Sequence, residues 1–131
     1  MAHVLILSFD GIAAERLQRS LREAGHRVCC CERAHQALRR LRLWRFDLVW
    51  MNGSLAGMDE LQFLRRLWLR QPHLPVIMIA DEEISPRRRL QLKSQGVKMV
   101  LMRPPRPHLV AVMTDVCGAL ERGVLTPPAF V

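Results

Sequence analysis

The chain has 131 residues, half of them apolar, and a formal net charge of +8. That length is most simply one domain, able to bury about two-thirds of its unfolded surface. No apolar run approaches the roughly 18 residues a membrane span needs, so membrane insertion is excluded as the expected role.

In chain order, residues 4–7 (VLIL) form a continuous apolar run, as expected of a strand buried on both faces. The run is too short for the core of a signal peptide and Asp10 follows almost at once, so the expected location is the cytoplasm. A first helix follows, with Ala13, Leu17, Leu21 and Ala24 on one face and Gly25 closing it. Residues 27–31 (RVCCC) read as a second strand, and Ala34, Ala37, Leu38 and Leu41 carry the i, i+3, i+4, i+7 pattern of a second helix.

The third strand is the apolar run Leu48, Val49, Trp50 and Met51, which stops abruptly at Asn52-Gly53. Asp59 then reads as the start residue of a third helix whose apolar side is Leu61, Leu64, Leu67 and Trp68. Residues 75–80 (PVIMIA) give a fourth strand, with proline tolerated at its first position. Ser85-Pro86 is a good N-cap and first-turn pair for a helix over 87–95 that Gly96 terminates. This helix is poorly amphipathic, since Lys93 stands where an apolar residue is expected beside Leu90. Residues 98–102 form a fifth strand broken by Pro104 and Pro105. Pro107 opens a fifth helix with Leu109, Met113, Val116 and Leu120 facing inward. Residues 1–122 are therefore expected to form the domain and 123–131 a tail or the start of a linker.

The cysteines read as small core residues. Cys29, Cys30 and Cys31 are consecutive, so neighbours point to opposite faces of a strand and cannot converge on a metal. His3, His26, His35, His73 and His108 lack zinc-ligand spacing, and no metal held by His or Cys is expected. Alternating strands and helices with short connections predict an α/β fold, a doubly wound five-stranded parallel sheet with right-handed crossovers.

In VLIL and its turn, FDLVWMN followed by GMD, PVIMIA and the ending LMRPP, the chain resembles the receiver domain of two-component response regulators over residues 3–121. That resemblance implies a flavodoxin-like (βα)5 fold with strand order 2-1-3-4-5. Receivers phosphorylate themselves on an aspartate ending strand three, with two acids after strand one holding Mg²⁺. They also carry a hydroxyl ending strand four, a lysine before proline ending strand five, and an aromatic switch residue within strand five. Hard oxygen ligands suit Mg²⁺, and phosphoryl transfer needs preorganised cations and donors.

Carried onto this chain, the phospho-acceptor position is Asn52 and the two acidic positions are Ser8 and Phe9. The hydroxyl position is Ala80, the lysine position Arg103 and the switch aromatic Val100. Asn52 lacks both the nucleophile and the charge, and Phe9 puts a ring where a cation would sit. No Mg²⁺ or other cofactor is expected. Asp10, one position along, reads as a turn or cap residue of the first helix. Arg103-Pro104 is expected to be cis, with Arg103 binding an anion, pairing with Asp10 or bonding to Asn52. The Asn52-Gly53 pair is also open to deamidation, which would create a carboxylate.

With that chemistry removed, function is expected in surfaces. In receivers the face of helix four, strand five and helix five docks and dimerises. Here it would carry Arg87, Arg88, Arg89, Lys93, Lys98, Arg106 and His108. A second basic group (Arg33, Arg39, Arg40, Arg42, Arg45) surrounds helix two, and Arg65, Arg66 and Arg70 lie on helix three. The first reading is a pseudo-receiver that binds a protein partner, an output domain or its own copy, without phosphorylation. A second is nucleic-acid or nucleotide-messenger binding through the arginines, against which stands the lack of a stacking platform or helix-turn-helix. A conventional phospho-receiver using Asp10, or Asp47 at the wrong strand end, is the weakest.

Overall fold

The structure, a computed structural model, describes residues 2–8, 11–52, 55, 57–80 and 84–101, the side chain of residue 13 excepted. Five strands alternate with four helices among the described residues: β1 (His3–Leu7), α1 (Gly11–Glu23), β2 (Arg27–Cys31), α2 (Ala34–Leu43), β3 (Leu48–Asn52), α3 (Glu60–Arg70), β4 (Val76–Ile79), α4 (Pro86–Gln95) and β5 (Met99–Leu101). The strands form one parallel sheet in the order β2-β1-β3-β4-β5, the flavodoxin-like arrangement expected. The expected fifth helix, the tail and the Arg103-Pro104 peptide lie outside the described residues.

The continuous apolar runs have the physical meaning assigned to them. Along β1, Leu5 and Leu7 enter the core beneath α2, α3 and α4, while Val4 and Ile6 enter the core on the α1 face. Val49 and Met51 alternate with Leu48 and Trp50 in the same way, and Val76 and Met78 with Ile77 and Ile79. A strand that faces two cores can spare no position for a polar residue, so its sequence loses the period of two. Trp50 is fully buried on the α1 face, its indole Nε1 without a hydrogen-bond partner among the described residues.

The helix ends follow local chemistry. The Asp59 carboxylate accepts from the backbone N–H groups of Leu61 and Gln62, capping α3. The Ser85 hydroxyl accepts from Arg88 N–H, with Pro86 opening α4. Gly96 ends α4 at φ 123°, a conformation that favours glycine, and a Cβ there would press on the Trp68 ring at 3.2 Å.

Four expectations about side-chain placement are corrected. Ala24 is exposed because α1 stops at Glu23 and turns, with His26 N–H donating back to the Leu21 carbonyl. The cysteines are not all core: β2 is an edge strand, so Cys31 is buried but Cys29 is half-buried and Cys30 exposed. In α3 the deepest face includes Phe63, flanked by Leu64 and Leu67, while Leu61 and Trp68 lie at its margins. In α4 the inward residue is Leu92, 1% exposed, and Leu90 is 70% exposed. The helix is rotated so that one leucine meets the core and Lys93 stays in solvent.

Candidate functional site: the carboxyl edge of the sheet and the basic faces

Open parallel sheets bind ligands beyond the carboxyl ends of their strands, where neighbouring connections diverge. Here β1 lies between β2 and β3, and the chain leaves β1 and β3 side by side. Leu7 is in register with Met51, so the next residues, Ser8 and Asn52, are level across the ladder. Asn52 Nδ2 donates to Ser8 Oγ at 3.0 Å, and each residue is 7% exposed. Ser8 N–H also donates to the Cys31 carbonyl at 2.9 Å, extending the ladder to β2.

On the other side of β3, Asn52 is in register with Ile79, and Ala80 follows it, 2% exposed. Ala80 N–H donates to the Leu101 carbonyl at 2.7 Å. Val100, in register with Met78, is half-buried against the core. The structure therefore brings Ser8, Asn52 and Ala80 to one strand edge, with Val100 in the neighbouring strand. Phe9, Asp10 and Arg103 lie outside the described residues. What is brought together is neutral: an amide, a hydroxyl bonded to it, and a methyl. An amide has no anionic oxygen to attack a phosphoryl group or to attract a hard cation. Among the described residues, no group of three or more His, Cys, Asp or Glu side chains converges.

The predicted docking face divides into exposed and half-buried cations. Arg87, Lys93 and Lys98 are exposed. Arg88 is half-buried and forms an ion pair with Glu60 at the start of α3, which ties α4 to its neighbour. Arg89 is also half-buried, its Nε enclosed without a hydrogen-bond partner among the described residues. Arg106 and His108 lie outside the described residues.

Two features escaped the sequence reading. One is the Ser8–Asn52 hydrogen bond, whose signal was that both residues end strands that the order 2-1-3-4-5 makes adjacent. The other is that the two basic groups on α2 and α3 are one group. Arg39 and Arg42 from α2 meet Arg66 and Arg70 from α3 along a shared groove. Their i, i+3 and i, i+4 spacings place each pair on one helix side, and helix packing supplies the rest.

The Cys31 thiol has its pKa pushed up to about 11, first by burial and then by the neighbouring Cys29, with Arg40 opposing. Burial, then Cys29, also raises that of Cys30, against Arg22. Both thiols are therefore held in the protonated, weakly nucleophilic form at neutral pH.

Comparison with known proteins agrees with this architecture. A family profile described as the response regulator receiver domain matches residues 4–114. The response regulator protein FleR of Pseudomonas aeruginosa is 31% identical over 103 residues, covering 79% of this chain and 22% of FleR. The sensory/regulatory protein RpfC of Xanthomonas campestris is 28% identical over 122 residues, covering 88% of this chain and 16% of RpfC. The chain thus spans only about a fifth of these relatives' own length. Among solved structures, a CheY-like receiver domain protein from Methanospirillum hungatei superposes with a TM-score of 0.83 at 18% identity, covering 94% of this chain and 98% of that one. CheY4 of Vibrio cholerae superposes with a TM-score of 0.78 at 22% identity, covering 89% and 98%. These structural likenesses speak for the fold. Together with the profile match, they identify the chain as a member of the response regulator receiver domain family, one that carries Asn52 where the family carries its aspartate.

Proposed function

We propose that this domain is a pseudo-receiver, a phosphorylation-independent module that works through protein contacts in two-component signalling. The observation that carries the reading is the buried Asn52–Ser8 hydrogen bond at the strand edge where receivers place their nucleophile. An amide bonded to a hydroxyl supplies no anionic oxygen, either to accept a phosphoryl group or to attract a hard cation. In this reading Ser8 and Phe9 stand at the two acidic positions, Ala80 at the hydroxyl position, Arg103 at the lysine position and Val100 at the switch aromatic. No Mg²⁺ or other cofactor takes part.

The partner is a protein: an output domain, a signalling protein or a second copy, met in the cytoplasm on the face formed by α4, β5 and the helix expected after residue 107. Support comes from the exposed cations Arg87 and Lys93 on α4 and from the exposed Leu90 between them, an apolar contact ringed by charge. The test is incubation with a small acyl-phosphate donor and Mg²⁺, followed by intact mass spectrometry. No phosphoryl adduct is expected, and a stable adduct on any side chain would sink the reading. Size-exclusion chromatography before and after the same treatment should give one unchanged oligomeric state.

A further inference from the structure

The α2–α3 face has the build of a second docking surface, on the opposite side of the molecule from the α1 core. The groove between the two helices has a volume of about 670 Å³. Arg39 and Arg42 line it from α2, Arg66 and Arg70 from α3, and all four are exposed. Two leucines join them in the lining: Leu38 is half-buried, and Leu69 is 82% exposed. Neither helix supplies a carboxylate to balance these guanidiniums, since α2 has no acidic residue and the single acid of α3, Glu60, is paired with Arg88 at the far end. Among the described residues, none of the four forms an ion pair.

The groove is also held in shape. The Gln71 side chain accepts from Phe46 N–H and donates to the Leu41 and Trp44 carbonyls, fixing the end of α3 to the α2–β3 connection. Both helices return antiparallel to parallel strands, so they lie side by side and run the same way. Two aligned helices with leucines between their basic rims form the kind of trough that receives a third helix.

We infer that this groove docks an acidic amphipathic helix of a partner protein, its carboxylates on the arginine rim and an apolar side chain on Leu38 and Leu69. Charge complementarity selects this occupant. Guanidinium forks pair bidentately with carboxylates, and Leu69 gains only from an apolar partner. A second copy docked face to face would set Arg39 and Arg42 against their own equivalents, which costs energy. A nucleic acid would satisfy the arginines but leave the leucines against phosphate and ribose, and among the described residues the only ring lining the groove is the single imidazole of His35, short of a platform for successive bases. The groove is separate from the α4 face, and its docking is independent of phosphorylation.

The test uses the full chain and three labelled probes in fluorescence anisotropy at physiological ionic strength. One is a synthetic amphipathic helix with glutamates on one face and leucines on the other. The second has the same charge with serine in place of leucine, and the third is a single-stranded DNA oligonucleotide of equal charge. The leucine peptide should bind tightest. Its affinity should fall at least about tenfold in Arg39→Glu/Arg66→Glu and also in Leu69→Ser, with thermal unfolding unchanged in both. Arg16→Glu/Arg19→Glu makes the same change in net charge on exposed positions of α1 and should leave binding intact. An equal loss in both charge reversals would reduce the effect to bulk charge and overturn the inference. Equal binding of the serine peptide, tighter binding of the oligonucleotide, or no binding of the leucine peptide would each overturn it as well.

Discussion

Asn52 and Ser8, forty-four residues apart in sequence, are joined by a side-chain hydrogen bond across the carboxyl ends of β1 and β3. The pair is buried and neutral, and it makes a measurable claim about stability. In a double-mutant cycle of Asn52→Ala and Ser8→Ala, the two should couple by about 0.5–1.5 kcal/mol, the net worth of one buried hydrogen bond. Urea unfolding of the two single variants and the double variant measures it, and strict additivity would remove the bond from the structure in solution.

The same pair bears on Asn52-Gly53. Deamidation requires the following backbone nitrogen to attack the asparagine side-chain carbonyl, which in turn requires that side chain to swing freely. A buried amide held at a strand end by a hydrogen bond lacks that freedom. Peptide mass spectrometry after prolonged incubation should find Asn52 intact in the folded protein and deamidated once the chain is unfolded.

The rotation of α4 gives a sharp contrast between two leucines two residues apart. Leu92→Ala removes a core side chain and should cost about 2–5 kcal/mol. Leu90→Ala, on the exposed side, should stay within about 0.5 kcal/mol. Denaturant midpoints of the two variants decide it, and a reversed order would mean the helix faces the other way.

Alkaline pH should probe Cys31. A thiol whose pKa rises on folding contributes stability that is complete below its unfolded value of 9.0 and is lost as pH climbs through the folded value, about 11. The thermal midpoint should therefore fall between these limits, and Cys31→Ala should fall less steeply over the same range. Parallel curves for the two proteins would assign the alkaline loss to other groups.

The α3 cap is the simplest stability test. Asp59 accepts from two backbone N–H groups, so Asp59→Asn should cost little and Asp59→Ala about 1 kcal/mol or somewhat more. Amide exchange should quicken first at Leu61 and Gln62.

The sheet could be read from the sequence because doubly buried strands write themselves as apolar runs, and the helix ends because Asp59, Ser85, Pro86 and Gly96 act locally. What the sequence concealed was set at longer range. Cys30 looked like core until the strand order made β2 an edge. Phe63 and Leu69 are both apolar on a helix that is apolar over much of its circumference, and only packing decides that one is buried and the other exposed. The site shows the same division. That Asn52 ends a strand was legible, but its bond to Ser8 depends on which strands are neighbours. The groove arginines were visible as two lists, and became one surface only when α2 was laid beside α3.

The three tryptophans, in a chain without tyrosine, occupy three distinct settings. Trp50 is sealed in the α1-side core, Trp68 is half-buried with its indole donating to the Leu74 carbonyl, and Trp44 is exposed beneath the Arg40 guanidinium at 5.2 Å. Their emission is therefore a built-in map. A soluble quencher reaches Trp44 first, and Trp44 follows α2 on the edge of the arginine-lined face. Trp50 responds only when the sheet itself opens. Ligand docking and global unfolding thus carry separate optical signatures in the unlabelled protein.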